Sequence, residues 1–95
     1  MYKTLIFILK NDSNFEKYFE ENFIPLLNEI SGTEIKLAKV ESNLLSDIKF
    51  SLFCELTADS KDEMDRKMSS VAGRKLGKLL MESFQNVLVI NVNYQ

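Results

Sequence analysis

The order in which two kinds of hydrophobic periodicity follow one another is the strongest constraint on the fold of this chain. Short segments with strand-like composition or alternation occupy residues 2–10, 33–40, 47–58 and 86–94. Longer segments with apolar residues at three- and four-residue intervals occupy the stretches after the first and third of these. The order is therefore strand, helix, strand, strand, helix, strand. Right-handed β-α-β crossovers then place both helices on one face of a four-stranded antiparallel sheet.

The two predicted helices have recognisable starts and weak points. Ser13 with Glu16 and Ser60 with Glu63 have capping-box spacing. Pro25 lies inside the first helical stripe, which runs to Gly32, and should kink it near Glu21 or Asn22. Gly73 and Gly77 each weaken the second stripe by about 1 kcal/mol relative to alanine, so a bend or split is expected there. The apolar positions of the second stripe are Met64, Met68, Val71, Ala72, Leu76, Leu79, Leu80 and Phe84.

This arrangement is the ferredoxin-like α+β sandwich, and 95 residues suffice for one such domain, spanning residues 1–95. The longest purely apolar run, residues 5–9, is far shorter than the roughly 20 residues of a membrane helix. No basic and apolar leader precedes a cleavage site, and Cys54 is the lone cysteine. A cytoplasmic location is therefore expected. The formal charge of −2 gives no general attraction for phosphate backbones, which disfavours nucleic acid as a partner.

The absence of histidine from the sequence excludes many catalytic and metal sites. Ser-His and Cys-His nucleophile pairs, histidine haem ligation and most zinc sites all need that residue. The acidic residues at positions 59–65 crowd the start of the second helix, where they complement the helix dipole. We therefore expect neither a metal nor a cofactor.

Sorting the strand residues by alternation predicts a sheet with two apolar faces. The set predicted to face the helices is Leu5, Phe7, Leu9, Ile35, Leu37, Ile48, Phe50, Leu52, Cys54, Leu56, Leu88, Ile90 and Val92. The opposite face is predicted to mix Ile6, Ile8, Ala38, Val40, Phe53, Val87 and Val89 with polar residues. So much apolar surface on a small domain indicates an interface, so we expect a homodimer through this sheet face. The alternative is a monomer with an apolar sheet surface.

An RNA-recognition domain has the same strand order and is an alternative that the alternation disfavours. Base stacking needs aromatic side chains together on the exposed face of the sheet. Phe50 and Phe53 are three residues apart and should point to opposite faces, and Phe7 is predicted to face the helices.

Over nearly its whole length the chain resembles the EthD-like branch of the dimeric α+β barrel superfamily. One similar segment runs from the Phe15-Glu-Lys-Tyr18 sequence through Pro25-Leu26 to Ser31-Gly32. The other contains Asp59-Ser60, Met64, Ser70-Val-Ala-Gly73-Arg74 and Phe84, and resembles the part of the family in which a Ser-Pro-Glu-Gly-like turn interrupts the second helix. Phe23 stands where the family motif has a histidine, so any polar role of that histidine does not transfer to this chain.

The resemblance implies a pocket between the first helix, the second helix and the sheet. Its predicted ligand-binding residues are Tyr18, Asn22, Phe23, Phe53 and Phe84. Such a lining would suit a flat, apolar or aromatic molecule. The alternative interpretation is that these aromatic residues simply fill the core, as apolar residues at helical spacing usually do.

Two functions follow from these expectations. One is a homodimeric EthD-like protein that binds a small apolar or aromatic metabolite, with cofactor-independent oxidation or isomerisation as the chemistry its relatives suggest. The other is a non-catalytic dimeric interaction or ligand-sensing module. The sequence does not decide between an enzyme and a binding protein.

Overall fold

The computed structural model describes residues 1–10, 12–44 and 47–95 as a four-stranded sheet packed against helices. The strands are antiparallel to their neighbours and lie in the order β2-β3-β1-β4. The predicted α+β fold is confirmed, with each predicted helix present as two shorter ones. Within the described residues the elements are β1 Tyr2–Leu9, α1 Ser13–Asn22, α2 Ile24–Ser31, β2 Ala38–Lys39, β3 Phe50–Ala58, α3 Lys61–Met68, α4 Val71–Glu82 and β4 Val87–Asn93.

The first predicted helix is divided at Phe23, immediately after the positions where a kink was expected. Pro25 lies in the first turn of α2, where its missing N–H breaks no helical hydrogen bond. The N-cap of α1 is Asp12 rather than Ser13, because the Asp12 carboxylate accepts a hydrogen bond from the backbone N–H of Asn14 at 3.0 Å. Gly32 ends α2 with a φ of 75°, a left-handed conformation that favours glycine.

The second predicted helix is divided at Ser69 and Ser70, not at its glycines. The Ser70 hydroxyl caps α4 by accepting a hydrogen bond from the N–H of Gly73 at 3.0 Å. Gly73 allows a close approach of chain segments, since a Cβ at this position would overlap the backbone carbonyl of Met68. The Ser60 cap of α3 is formed as predicted, with the Glu63 N–H donating at 3.1 Å.

Strand β2 is much shorter than the strand predicted over residues 33–40. The segment before it is held by α2, because the Asn28 side-chain oxygen accepts a hydrogen bond from the N–H of Ile35 at 2.6 Å. Ala38 and Lys39 pair with β3 in the strand register, and the Val40 N–H donates a further hydrogen bond to the Ser51 carbonyl at 2.9 Å. Strand β3 itself begins at Phe50 rather than at residue 47.

The alternation predicted for β1 and β4 was wrong by one residue, so the two faces of these strands are exchanged. Ile6 and Ile8, expected on the outer face, are fully buried beneath the helices, and Val87 is also buried. Ile6 lies directly opposite Cys54 of β3, which is 1% exposed, so both belong to the helix-facing core. Leu5, Phe7 and Leu9 of β1, with Leu88, Ile90 and Val92 of β4, therefore face away from the helices.

A bulge in β3 brings a third aromatic ring to that outer face. Ile8 pairs with Leu52 and Leu9 pairs with Phe50, so Ser51 has no partner residue in the β1–β3 register. The Phe7 ring then contacts both Phe50 and Phe53, with ring-centroid distances of 5.0 Å and 4.9 Å. The prediction that Phe50 and Phe53 point to opposite faces was therefore wrong.

Candidate functional site

The sheet face turned away from the helices, called the open face here, carries apolar side chains on three adjacent strands. No helix among the described residues covers it. Leu88 and Ile90 on the edge strand β4 are 40% and 41% exposed. The apolar side chains that β1, β3 and β4 contribute to the open face are Leu5, Phe7, Leu9, Phe50, Phe53, Leu88, Ile90 and Val92.

The aromatic cluster on the open face changes the argument about RNA. Phe7, Phe50 and Phe53 lie together on the open face, each half-buried, so the geometric reason for rejecting an RNA-recognition domain does not hold. The electrostatic reason stands, because the chain has a formal charge of −2, which gives no general attraction for phosphate backbones.

Aromatic rings fill the space between α1 and the sheet. Phe19 and Phe23 are fully buried and stacked, with centroids 4.5 Å apart and ring planes inclined by 18°. Phe15 and Tyr18 each meet the Phe23 ring edge-on at 6.0 Å. We call Phe15, Tyr18, Phe19 and Phe23 the α1 aromatic cluster. It occupies the region in which a pocket was expected.

The predicted polar pair on α1 lies at the protein surface. Tyr18 is 42% exposed although its ring contacts Phe23. The Asn22 side chain is exposed, and its amide nitrogen donates a hydrogen bond to the Tyr18 backbone carbonyl at 3.0 Å. Asn22 thus stabilises the last turn of α1 by binding a carbonyl of its own helix.

A solvent-open groove lies between α4 and the edge strand β4, and we call it the α4–β4 groove. Its volume is about 490 Å³, within the range of small-molecule sites. Met81 and Phe84 on its α4 side are 78% and 70% exposed, and Val89 on β4 is 37% exposed. The residues that line it are Gly77, Leu80, Met81, Phe84, Val87 and Val89.

The five predicted ligand-binding residues do not line one cavity. Tyr18 and Phe23 are in contact, and Asn22 lies beside Tyr18. Phe53 is on the open face and Phe84 is in the α4–β4 groove. Ligand binding by these five residues together stays a prediction. Sequence reasoning missed Gly77 and Met81 as groove residues, although they lie seven and three residues before Phe84 in one predicted helical stripe, which was a usable signal.

The titratable and metal-ligating groups offer little chemistry at these surfaces. Burial, with the nearby negative charge of Glu55, raises the pKa of the Cys54 thiol from 9.0 to about 12, so the nucleophilic thiolate is scarce at neutral pH. Among residues 1–10, 12–44 and 47–95, no three Cys, Asp or Glu side chains are placed to hold a metal ion. None of the helices in that part of the chain has the length and apolar character needed to cross a bilayer.

Several solved structures share this fold over almost the full length of the chain. An ethyl tert-butyl ether D (EthD) family protein from Bacillus halodurans has a TM-score of 0.80 at 20% identity, with 100% of this chain and 99% of that chain covered. A DABB family protein with a ferredoxin-like fold from Mesorhizobium loti has a TM-score of 0.60 at 19% identity, covering 99% and 95%. A dimeric protein of unknown function and ferredoxin-like fold from Bacteroides fragilis has a TM-score of 0.51 at 15% identity, covering 98% and 95%.

No protein-family model matches the sequence, and a search of curated proteins found no match. At identities of 15–20% the structural likeness establishes the fold. The chain has the ferredoxin-like α+β fold of the EthD family structure, and the expected resemblance is confirmed at that level.

Proposed function

We propose that this protein, built on the fold of an EthD family structure, works in the cytoplasm as a homodimeric interaction or ligand-sensing module whose two sheets pack against each other. The observation that supports the dimer is the open face, with its eight apolar side chains on three adjacent strands. Exposed apolar surface of this extent on a small domain is typical of an interface. The similar structure from Bacteroides fragilis is described as dimeric, which agrees with the proposal.

A two-fold axis makes such a face self-complementary. Each copy presents the same ridge of aromatic rings on β1 and β3 and the same aliphatic side chains on β4, so a second copy offers matching apolar surface. Face-to-face sheets pack about 10 Å apart, which is the distance at which side chains from both sheets exclude water.

The oligomeric state tests the proposal directly. At micromolar concentration, light scattering after size-exclusion chromatography should give a mass near twice 11.0 kDa. Ile90→Lys places a charge on the open face and should raise the dimer dissociation constant at least about 100-fold, because an unpaired ammonium would lose its water on association.

Val89→Lys is the matched control for this substitution. Val89 is the neighbouring residue of the same strand, is 37% exposed against 41% for Ile90, and points to the helix side of the sheet. This variant should remain a dimer. A mass of 11.0 kDa for the unaltered chain at tens of micromolar, or loss of the dimer in Val89→Lys alone, would contradict the proposed interface.

A second proposal concerns the ligand, and the α4–β4 groove supports it. Large exposed apolar side chains converge on a concave site there, with Phe84 at its wall, so the groove suits a small uncharged aromatic or apolar molecule. The residues that line it carry no titratable side chain. We therefore propose binding or sensing at this groove rather than acid–base catalysis.

Ligand-observed NMR with 1-naphthol as the probe tests the groove. Phe84→Ala should weaken binding about tenfold by removing one wall, and Gly77→Leu should weaken it by filling the space, since nothing lies within 4 Å of a Cβ at Gly77. Tyr18→Phe and Asn22→Ala should leave it unchanged. Binding that depends on Tyr18 and Asn22 instead would place the site at α1, and no binding at millimolar probe would remove the ligand proposal.

A further inference from the structure

An ion pair lies at one end of the open face. The ammonium of Lys3 on β1 and the carboxylate of Glu55 on β3 are 3.0 Å apart and hydrogen-bonded. Their side chains are 22% and 38% exposed. The Lys3 ammonium also lies 5.7 Å from the centre of the Tyr94 ring, within the range of a cation–π contact.

Apolar residues lie beside this pair on two strands, and one polar residue lies beside it on the third. In the strand register Leu5 lies directly opposite Glu55 and Val92 directly opposite Lys3, while the exposed Thr57 of β3 also lies opposite Lys3. The other ion pairs found within the described residues lie along single helices, and they are Lys17–Glu21, Lys61–Asp65 and Glu63–Lys67. The Lys3–Glu55 pair is therefore the one that a sheet packed on the open face would take out of water.

We infer that the Lys3–Glu55 ion pair determines which partner the open face accepts, by presenting a second copy of the chain with two charges that already neutralise each other. This inference rests on the proposed dimer. A charge pair in water contributes little, but one charge left alone beneath a partner sheet is strongly unfavourable. The intact pair permits association, and loss of either member alone opposes it.

The charges of the Lys3–Glu55 pair also explain why a second copy of the chain suits the open face. A face with one positive and one negative group presents no net charge to its own copy, so association of two identical faces brings no repulsion from this pair. A polyanion such as single-stranded nucleic acid would gain no net attraction from this pair, because the two charges cancel.

A double-mutant cycle on the full chain measures the effect. Lys3→Met and Glu55→Gln should each raise the dimer dissociation constant by roughly 100-fold, whereas the double variant Lys3→Met with Glu55→Gln should return it to within about tenfold of the unaltered value. Lys61→Met is the control, because its ion pair with Asp65 has the same 3.0 Å distance but lies on α3 with both side chains exposed. It should not change the dissociation constant. Circular dichroism of each variant verifies that the fold is retained.

The outcomes separate this inference from the proposed function. A monomeric unaltered chain would overturn the dimer and this inference with it. A dimeric unaltered chain whose dissociation constant is unaffected by Lys3→Met and Glu55→Gln would overturn the inference alone. Binding of oligo(U) that Lys3→Met weakens and Glu55→Gln strengthens would show a nucleic-acid face instead and would overturn both.

Discussion

Phe23→Ala should lower the free energy of unfolding by about 3–5 kcal/mol, the range measured for removing a large aromatic side chain from a well-packed core. The ring is fully buried, stacks on Phe19, and contacts the edges of Phe15 and Tyr18. Its removal leaves a cavity at the centre of the α1 aromatic cluster. Urea unfolding followed by circular dichroism, at one fixed protein concentration, measures the change.

Phe84→Ala is the matched control, because it makes the same chemical change at a ring that is 70% exposed. Phe84→Ala should lower the free energy of unfolding by no more than about 0.5 kcal/mol. Equal losses at the two positions would mean that the α1 aromatic cluster is not the packed core described above.

The burial of Phe23 also explains why this chain can lack the histidine of the related motif. Phe23 lies among aromatic rings, where an imidazole would have to bury its N–H and its ring nitrogen. The position is part of the hydrophobic core in this protein, and the exposed polar surface of α1 begins at the preceding residue, Asn22.

Gly73→Ala should lower the free energy of unfolding by about 2–3 kcal/mol. The added methyl group would overlap the backbone of Met68, and a backbone atom cannot move aside as the end of a side chain can. Relief would require α3 and α4 to separate at the Ser69–Ser70 junction. The same urea titration measures the loss.

Gly77→Ala provides an internal comparison, since it is the same substitution one turn further along α4. Nothing lies within 4 Å of a Cβ at that position, so only helix propensity changes, and stability should rise by up to about 1 kcal/mol. The two substitutions thus have opposite predicted signs. A loss of stability for both substitutions, or for neither, would contradict the close approach of Gly73 to the Met68 backbone.

The element order was predictable from the sequence because it depends on periodicity, which local side-chain spacing determines. Ser60 was a correct N-cap, and Pro25 marked the division between α1 and α2 to within a few residues. The strand over residues 33–40 was overpredicted for a tertiary reason, since the side chain of Asn28, on a different element, binds the backbone of Ile35.

The choice of sheet face was not predictable from alternation. In β1 both alternating sets are apolar, Leu5 and Phe7 in one and Ile6 and Ile8 in the other. A one-residue choice reverses every side chain of a strand, and here nothing local opposes either choice. The packing of the helices decides which set faces the core. The predicted face was correct for Phe53 in β3 and wrong for Phe7 in β1. The separation of the candidate site residues was not predictable for the same reason, because Phe53 and Phe84 lie on surfaces that only the assembled sheet defines.

The bulge at Ser51 has an evolutionary consequence. The bulge absorbs one extra residue, so Phe50 stays opposite Leu9 and on the same face as Phe7 and Phe53. Regular alternation through Ser51 would instead turn the Phe50 ring toward the helices. A codon can therefore be gained or lost at this site in β3 while the aromatic rings stay on the surface that proteins of this shape offer to one another.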